Sequence, residues 1–194
     1  MDDSWVHVNS VAEEDLDFTN DIDLPGSKPT PEERRRAEQQ TVTGMRSLDR
    51  AGYYVNILSR PGKLIAPRAG DKHSILIIDY DQANVLLLAR TLLLAQFDVR
   101  SASTREQLAA ELKRQPVPDA IVMDIVLRGL NGLDLLAHLR QHARFAGVPV
   151  IVMTAKLEQD DVIAALARGA SGYMTKPFKP EALLDTVKAV LGLG

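Results

Sequence analysis

The sequence contains no cysteine, and this absence excludes several kinds of functional site. A chain without thiols has no disulfide, no zinc–thiolate or iron–sulfur centre and no cysteine nucleophile. It suits a reducing compartment, where disulfides are rare. The chain also lacks the basic opening of a secretory signal. No apolar run reaches the roughly 18 residues that a membrane span needs. We therefore expect a cytoplasmic protein without membrane insertion.

Positive charge is also scarce. The net charge is −3, and residues 1–71 carry 9 Lys and Arg against 13 Asp and Glu, while residues 72–194 carry 14 against 13. Neither part has the basic surplus with which proteins neutralise nucleic-acid phosphates. We expect no nucleic-acid partner.

The first 72 residues show no recognisable chemistry. Residues 1–30 are interpreted as a disordered acidic arm, because residues 1–27 hold eight acidic side chains and no Lys or Arg. A partner-binding segment is the alternative. Residues 31–72 remain an unassigned extension, with a predicted helix from Thr30 to about Arg50, a strand candidate at 53–58 and a linker at 67–72. The helix could pack on the main domain or on a second copy.

From residue 73 to residue 194, apolar runs alternate with helical stretches five times. Strong runs cover 75–78, 120–123 and 150–153, weaker ones cover 99–102 and 172–174, and the helical stretches cover 82–95, 104–114, 132–141, 159–168 and 180–191. Continuous apolar strands indicate a parallel sheet with helices on both faces. Right-handed crossovers then favour a doubly wound α/β fold with five parallel strands in the flavodoxin-like order 2-1-3-4-5.

Polar residues stand where the predicted strands end. Asp79 follows the first strand, Asp124 the third, Thr154 the fourth and Lys176 the fifth. Ligands of such sheets bind at the carboxyl ends of the strands, where strand order reverses. Clustered carboxylates suit Mg²⁺, and an aspartate can accept a phosphoryl group whose charge a metal and an ammonium group stabilise. Each residue alone would be read as a cap, a turn residue or a solvated side chain. Their convergence on one edge indicates phosphorylation of Asp124.

The order and spacing of these segments resemble the receiver domain of two-component response regulators. The resemblance covers residues 74–194 and rests on Ile75-Leu76-Ile77-Ile78-Asp79, Val122-Met123-Asp124, Asn131-Gly132-Leu133, Pro149-Val150-Ile151-Val152-Met153-Thr154-Ala155-Lys156 and Gly172-Tyr173-Met174-Thr175-Lys176-Pro177-Phe178.

The resemblance implies a set of roles. A histidine kinase or phosphotransfer protein would phosphorylate Asp124, using Mg²⁺ held by Asp79, Asp124 and the backbone carbonyl of Val126. Thr154 and Lys176 would contact the phosphoryl group, and Tyr173 would be the switch aromatic that turns inward. The resemblance also implies a cis Lys176–Pro177 bond.

One position departs from the family's pattern. Receivers place two adjacent acidic residues after the first strand, but here Tyr80 stands in the second position, between Asp79 and Asp81. A phenol is a poor Mg²⁺ ligand, so the metal would lose a carboxylate. Asp81 either reaches the metal, through water or a shifted loop, or caps the helix that begins near Gln82. The sequence leaves both roles open.

Two functions remain in view. The first is a response regulator that alters a protein-interaction face on phosphorylation, catalyses no reaction beyond its own phosphoryl transfer and dephosphorylation, and has no DNA-binding output domain. Its output would be an unknown protein, a homodimer or the N-terminal segment. The second is a degenerate receiver that acts as a scaffold or dimerisation module without phosphorylation. An enzyme of flavodoxin or phosphatase type is disfavoured, since no glycine-rich phosphate-binding loop is present.

Overall fold

The structure is a computed structural model that describes residues 31, 32, 35, 56–58, 64–68, 70–155 and 159–193. The predicted acidic arm, and the predicted helix apart from residues 31, 32 and 35, lie outside the described residues. Those three residues are helical. None of the described helices is both long and apolar enough to cross a membrane.

Six strands form the main sheet: β1 (Asn56–Leu58), β2 (Ser74–Ile78), β3 (Asp98–Ala102), β4 (Ala120–Asp124), β7 (Val150–Thr154) and β8 (Gly172–Thr175). Their order across the sheet is β1-β8-β7-β4-β2-β3. A hairpin of β5 (Val126–Leu127) and β6 (Leu130–Asn131) stands apart from them. All neighbours in the main sheet are parallel except β1 and β8. The predicted doubly wound sheet is therefore confirmed, with β1 added at its edge.

Five helices connect the strands. They are α1 (Gln82–Leu94), α2 (Arg105–Lys113), α3 (Gly132–Gln141), α4 (Gln159–Ala167) and α5 (Pro180–Leu191). Side chains of Asp81, Thr104 and Asn131 accept backbone N–H hydrogen bonds at the first turns of α1, α2 and α3. The predicted boundaries of these five helices agree with the structure to within one residue.

The central strands β2, β4 and β7 are buried on both faces of the sheet, which explains their uninterrupted apolar runs. Successive side chains of a strand point to opposite faces. Ile75 and Ile77 of β2 accordingly pack with residues of α1 and α5, while Leu76 and Ile78 pack with residues of α2, α3 and α4. This packing fixes the strands relative to one another and so brings their carboxyl ends to one edge.

The packing of the domain begins upstream of residue 73. The Ile65 N–H donates to the carbonyl of Leu191, and Ile65 O lies 2.6 Å from His73 Nε2. Arg68 donates through its backbone N–H and its guanidinium to Asp119, whose carboxylate is fully buried and also accepts from the Ser74 N–H. Because Asp119 precedes β4 and Asp124 ends it, the two lie at opposite ends of the sheet.

Candidate functional site

Three charged side chains meet at the carboxyl end of the sheet. Asp79 follows β2, Asp124 ends β4, and Lys176 follows β8. Lys176 Nζ lies 2.6 Å from Asp79 Oδ2 and 2.5 Å from Asp124 Oδ2. The side chains of Asp79, Asp124 and Lys176 are 4%, 12% and 11% exposed. The Lys176–Pro177 bond is cis, as the resemblance implies. The fold thus joins residues separated by up to 97 positions in one nearly buried cluster.

The electrostatics of the cluster keep Lys176 charged. Burial by itself would lower the pKa of the Lys176 ammonium group. Hydrogen bonds to Asp124 and Asp79, together with the charges of the two carboxylates, outweigh burial and raise that pKa above its ordinary value. A permanent positive charge is therefore held between two carboxylates at neutral pH.

The loop after Asp124 is held by backbone contacts. Asp124 Oδ1 accepts a hydrogen bond of 2.9 Å from the Val126 N–H, and Ile125 O accepts one of 2.9 Å from the Gly132 N–H. A Cβ atom on Gly132 would lie 2.5 Å from the backbone oxygen of Asp124. The sequence showed Asn131-Gly132 only as part of a family motif. Its physical reason is this approach of α3 to the backbone of Asp124.

The remaining predicted site residues lie beside the cluster. Thr154 ends β7 and is 1% exposed, and its backbone carbonyl accepts a 2.7 Å hydrogen bond from the Lys176 N–H. Tyr173, in the middle of β8, is fully buried among the core residues under α2, α3 and α4. Burial raises the pKa of its phenol above the ordinary value. Tyr173 therefore faces inward in this structure.

Tyr80 and Asp81 both lie outside the charged cluster. Asp81 Oδ1 accepts a 2.9 Å hydrogen bond from the Ala83 N–H, so of the two roles left open for Asp81 the structure shows the capping role. Tyr80 packs against the core under α2, α3 and α4. Its hydroxyl is buried and has no hydrogen-bond partner in the described part of the chain. Neither residue therefore adds a third carboxylate to the cluster.

The residues present fit Mg²⁺ by the chemistry of their oxygen atoms. The described residues contain no group of three or more His, Asp or Glu side chains that could hold a metal. Mg²⁺ nevertheless keeps several waters and is usually bound through one or two carboxylates. Asp79 and Asp124 supply two, and the backbone carbonyl of Val126 lies two residues further along the loop.

We expect Tyr80→Phe to leave the free energy of unfolding unchanged or to raise it by up to about 1 kcal/mol. The reason is that the substitution removes a desolvated hydroxyl without removing the packing of the ring. Urea denaturation measures the change. Tyr80→Leu, which also loses the ring, should instead be destabilised. A loss above about 1 kcal/mol in Tyr80→Phe would mean that the hydroxyl has a polar partner.

Comparison with known sequences points to one family. The sequence model of the response regulator receiver domain matches residues 75–188. The chain is 37% identical over 117 residues to the alkaline phosphatase synthesis transcriptional regulatory protein PhoP of Bacillus subtilis, a match covering 60% of this chain and 48% of PhoP. It is 42% identical over 80 residues to protein PilH of Pseudomonas aeruginosa, covering 41% of this chain and 66% of PilH. The match thus spans about half of PhoP and just under two thirds of PilH.

Solved structures agree with the fold. A putative response regulator from Chloroflexus aurantiacus has a TM-score of 0.58 and 32% identity, with 62% of this chain and 98% of that chain covered. Chemotaxis protein CheY4 of Vibrio cholerae has a TM-score of 0.57 and 27% identity, with 62% and 99% covered. The receiver domain of sensor histidine kinase PA1611 from Pseudomonas aeruginosa, with a magnesium ion in its active site cleft, has a TM-score of 0.56 and 25% identity, with 62% and 98% covered. The predicted fold and the predicted resemblance are both confirmed.

Proposed function

Because its residues 75–188 match the family's sequence model, this chain belongs to the response regulator receiver domain family, and we propose that Asp124 is its phosphoacceptor. The observation that carries the proposal is the contact of one ammonium group, Lys176 Nζ, with both Asp79 and Asp124 at the carboxyl end of the sheet. Asp124 keeps 12% of its side chain exposed, so a phosphodonor has access to it. In this proposal residues 73–194 are the cytoplasmic signalling unit, and residues 1–72 tether or regulate it.

The proposed reaction moves one phosphoryl group. A carboxylate oxygen of Asp124 forms a bond to phosphorus while the bond from phosphorus to the donor breaks. The donor atom is a nitrogen in the phosphohistidine of a histidine kinase or phosphotransfer protein. The positive charge of Lys176 would stabilise the negative charge on the phosphoryl oxygens. The Thr154 hydroxyl can donate a hydrogen bond to one of these oxygens. Receiver domains are signalling modules, and this chain would assist only its own phosphorylation and dephosphorylation.

Mg²⁺ is the expected cofactor. Receiver domains bind Mg²⁺ in the active site, and Asp79, Asp124 and the backbone carbonyl of Val126 are the groups that would hold it here. When bound, the ion neutralises part of the negative charge that accumulates during phosphoryl transfer. Since Tyr80 packs against the core and Asp81 caps α1, neither residue supplies a third carboxylate, and we expect weak Mg²⁺ binding.

The output is a change in a protein-interaction face. Tyr173 lies in β8, three residues before Lys176, and the proposed interaction face is formed by α4, β8 and α5. A phosphoryl group on Asp124 would draw Thr154 towards it, change the space available to Tyr173 and shift the population of that surface between two states. The partner would be another protein or a second copy of this chain rather than DNA, because the sequence has no basic surplus.

The proposal is tested by intact-protein mass spectrometry of the full chain after incubation with acetyl phosphate and Mg²⁺. We expect one phosphoryl adduct in the unchanged protein and none in Asp124→Asn. Asp98→Asn, an exposed aspartate at the start of β3, is the matched control and should form the adduct normally. An adduct that persists in Asp124→Asn would disprove the assignment.

A degenerate receiver that acts as a scaffold is the second candidate, and the positions of Tyr80 and Asp81 favour it. If folded protein takes no phosphate from acetyl phosphate, this candidate replaces the first. Tyr80→Asp then separates two causes. A gain in Mg²⁺ affinity and in adduct formation would attribute the loss to position 80, whereas no gain would argue against that explanation.

A further inference from the structure

The outer edge of the sheet is covered by a strand from the N-terminal extension. β1 pairs antiparallel with β8, with Asn56 opposite Met174, Ile57 opposite Tyr173 and Leu58 opposite Gly172. The other side of β8 pairs in parallel with β7. Without β1, the backbone groups on the outer side of β8 would form an open edge able to pair with another strand. The sequence predicted a strand at residues 53–58, and β1 is its described part.

The strand that receives β1 also leads into the charged cluster. Tyr173, which faces Ile57 across the ladder, is three residues before Lys176. The Lys176 N–H donates to Thr154 O, and Lys176 Nζ donates to Asp79 and Asp124. One short segment, residues 172–176, therefore carries the β1 ladder on its edge and the ammonium group at its end. A displacement of this segment therefore changes both the pairing with β1 and the position of the ammonium group.

Docking of β1 is expected to be readily reversible. The ladder has three residue pairs, which provide few hydrogen bonds against the entropy lost when an extended segment is ordered. Leu58 remains 38% exposed, so its burial is incomplete. The segment is nevertheless held near its edge, because only residues 59–64 separate it from Ile65, which is hydrogen-bonded to Leu191. A short tether of this kind gives β1 a high effective concentration at β8.

We propose that the outer edge of β8 is a strand-binding site whose ligand is the β1 segment of the same chain, and that its occupation is coupled through β8 to the contacts of Lys176 with Asp79 and Asp124. Through this site the N-terminal extension binds to the signalling domain. This inference does not require that Asp124 accept phosphate.

The first test measures whether β1 protects β8. Because alternate backbone N–H groups of a strand point to its neighbour, one of residues 56 and 57 directs its N–H towards β8. Replacing both, as Asn56→Pro with Ile57→Pro, removes that donor whichever residue carries it. The Lys176 N–H donates to β7, so the N–H groups of Tyr173 and Thr175, which alternate with it, are on the β1 side of β8. In the full-length double variant, hydrogen exchange of these two amides should be at least about threefold faster than in the unchanged protein. Val11→Pro, in the acidic arm, is the control. Exchange in β2 and β4 should remain unchanged, which shows that the domain is folded.

The second test measures the coupling without any phosphodonor. Asp124→Asn removes one of the two charges that hold Lys176, so amide exchange in Asn56–Leu58 should become about twofold or more faster, while Asp98→Asn should leave it unchanged. If amide exchange in β8 is unchanged in the double proline variant, the proposed strand-binding site is wrong. If exchange in β8 changes there but exchange in β1 is unchanged in Asp124→Asn, the proposed coupling is wrong. If protection of β8 in the unchanged protein rises with protein concentration, the ligand is β1 of a second copy, and the intramolecular assignment is overturned.

Discussion

Replacing Lys176 with methionine is expected to lower the free energy of unfolding by about 3–5 kcal/mol at neutral pH, because it removes a cation that two nearly buried carboxylates share. Lys176 Nζ donates to Asp79 Oδ2 and to Asp124 Oδ2, and these carboxylate side chains are only 4% and 12% exposed. Methionine keeps much of the length and apolar volume of the side chain. The loss therefore reports the missing charge rather than a cavity. Urea denaturation at pH 7 measures it.

The difference in the free energy of unfolding between the unchanged protein and Lys176→Met should depend on pH. The pKa of Lys176 is raised in the folded protein, so its stabilising contribution is complete below the unfolded pKa of about 10.4 and is lost as the pH rises through the folded value. The difference in stability between the unchanged protein and Lys176→Met should therefore be constant near neutral pH and shrink at strongly alkaline pH. Tyr173 also titrates late, because burial raises its pKa, but it does so in both proteins. Its effect largely cancels in the difference.

A matched control removes the same charge elsewhere. Lys72→Met replaces an exposed lysine and should change the free energy of unfolding by less than about 0.5 kcal/mol. If Lys176→Met is no less stable than Lys72→Met, the two carboxylates do not depend on the ammonium group. The electrostatic account of the site would then be wrong.

Gly132→Ala is expected to lower the free energy of unfolding by about 2–3 kcal/mol, although alanine is the better helix former. The new Cβ would lie 2.5 Å from Asp124 O, 2.7 Å from the Cα of Ile125 and 2.8 Å from Ile125 O. All three atoms belong to the backbone, which cannot move aside as the end of a flexible side chain can. Either α3 or the loop after Asp124 must shift, and the Gly132 N–H bond to Ile125 O lies at the same contact. Thermal or urea denaturation measures the loss.

Gly147→Ala provides the control for this substitution. A Cβ atom on Gly147 meets no atom within 4 Å, and the residue does not have a left-handed backbone conformation. Alanine there should be neutral or should stabilise the protein by up to about 1 kcal/mol, because it reduces the freedom of the unfolded chain. Equal effects at the two glycines would show that the close approach of α3 to Asp124 is not the cause.

Much of the candidate site could be predicted from the amino-acid sequence. The apolar pattern of a strand, and the residue at which the strand ends, are both local properties of the sequence. The apolar runs at 75–78, 120–123 and 150–153 indicated buried parallel strands, and strand order then assigned Asp79, Asp124 and Thr154 to one edge. The sequence did not show which hydrogen-bond partners the side chains at that edge have. Lys176 bonds to both carboxylates, while Asp79 Oδ1 accepts from the Asp81 N–H, and these choices depend on atoms brought from three strands.

Three features were decided by tertiary structure alone. A strand as short as β1 carries no sequence signal for its neighbour, because any open edge offers the same backbone groups, and only the packed sheet shows that β8 is free to receive it. Asp81 could cap or bind metal until the position of the Ala83 N–H was known. The sequence placed Tyr80 at a position where receivers have an acid, and only the structure shows that its ring packs against the core under α2, α3 and α4. Sequence by itself determined the five repeated units and the edge where their polar ends meet, since both follow from local periodicity. Tertiary structure decided the partners, since these depend on segments distant in the chain.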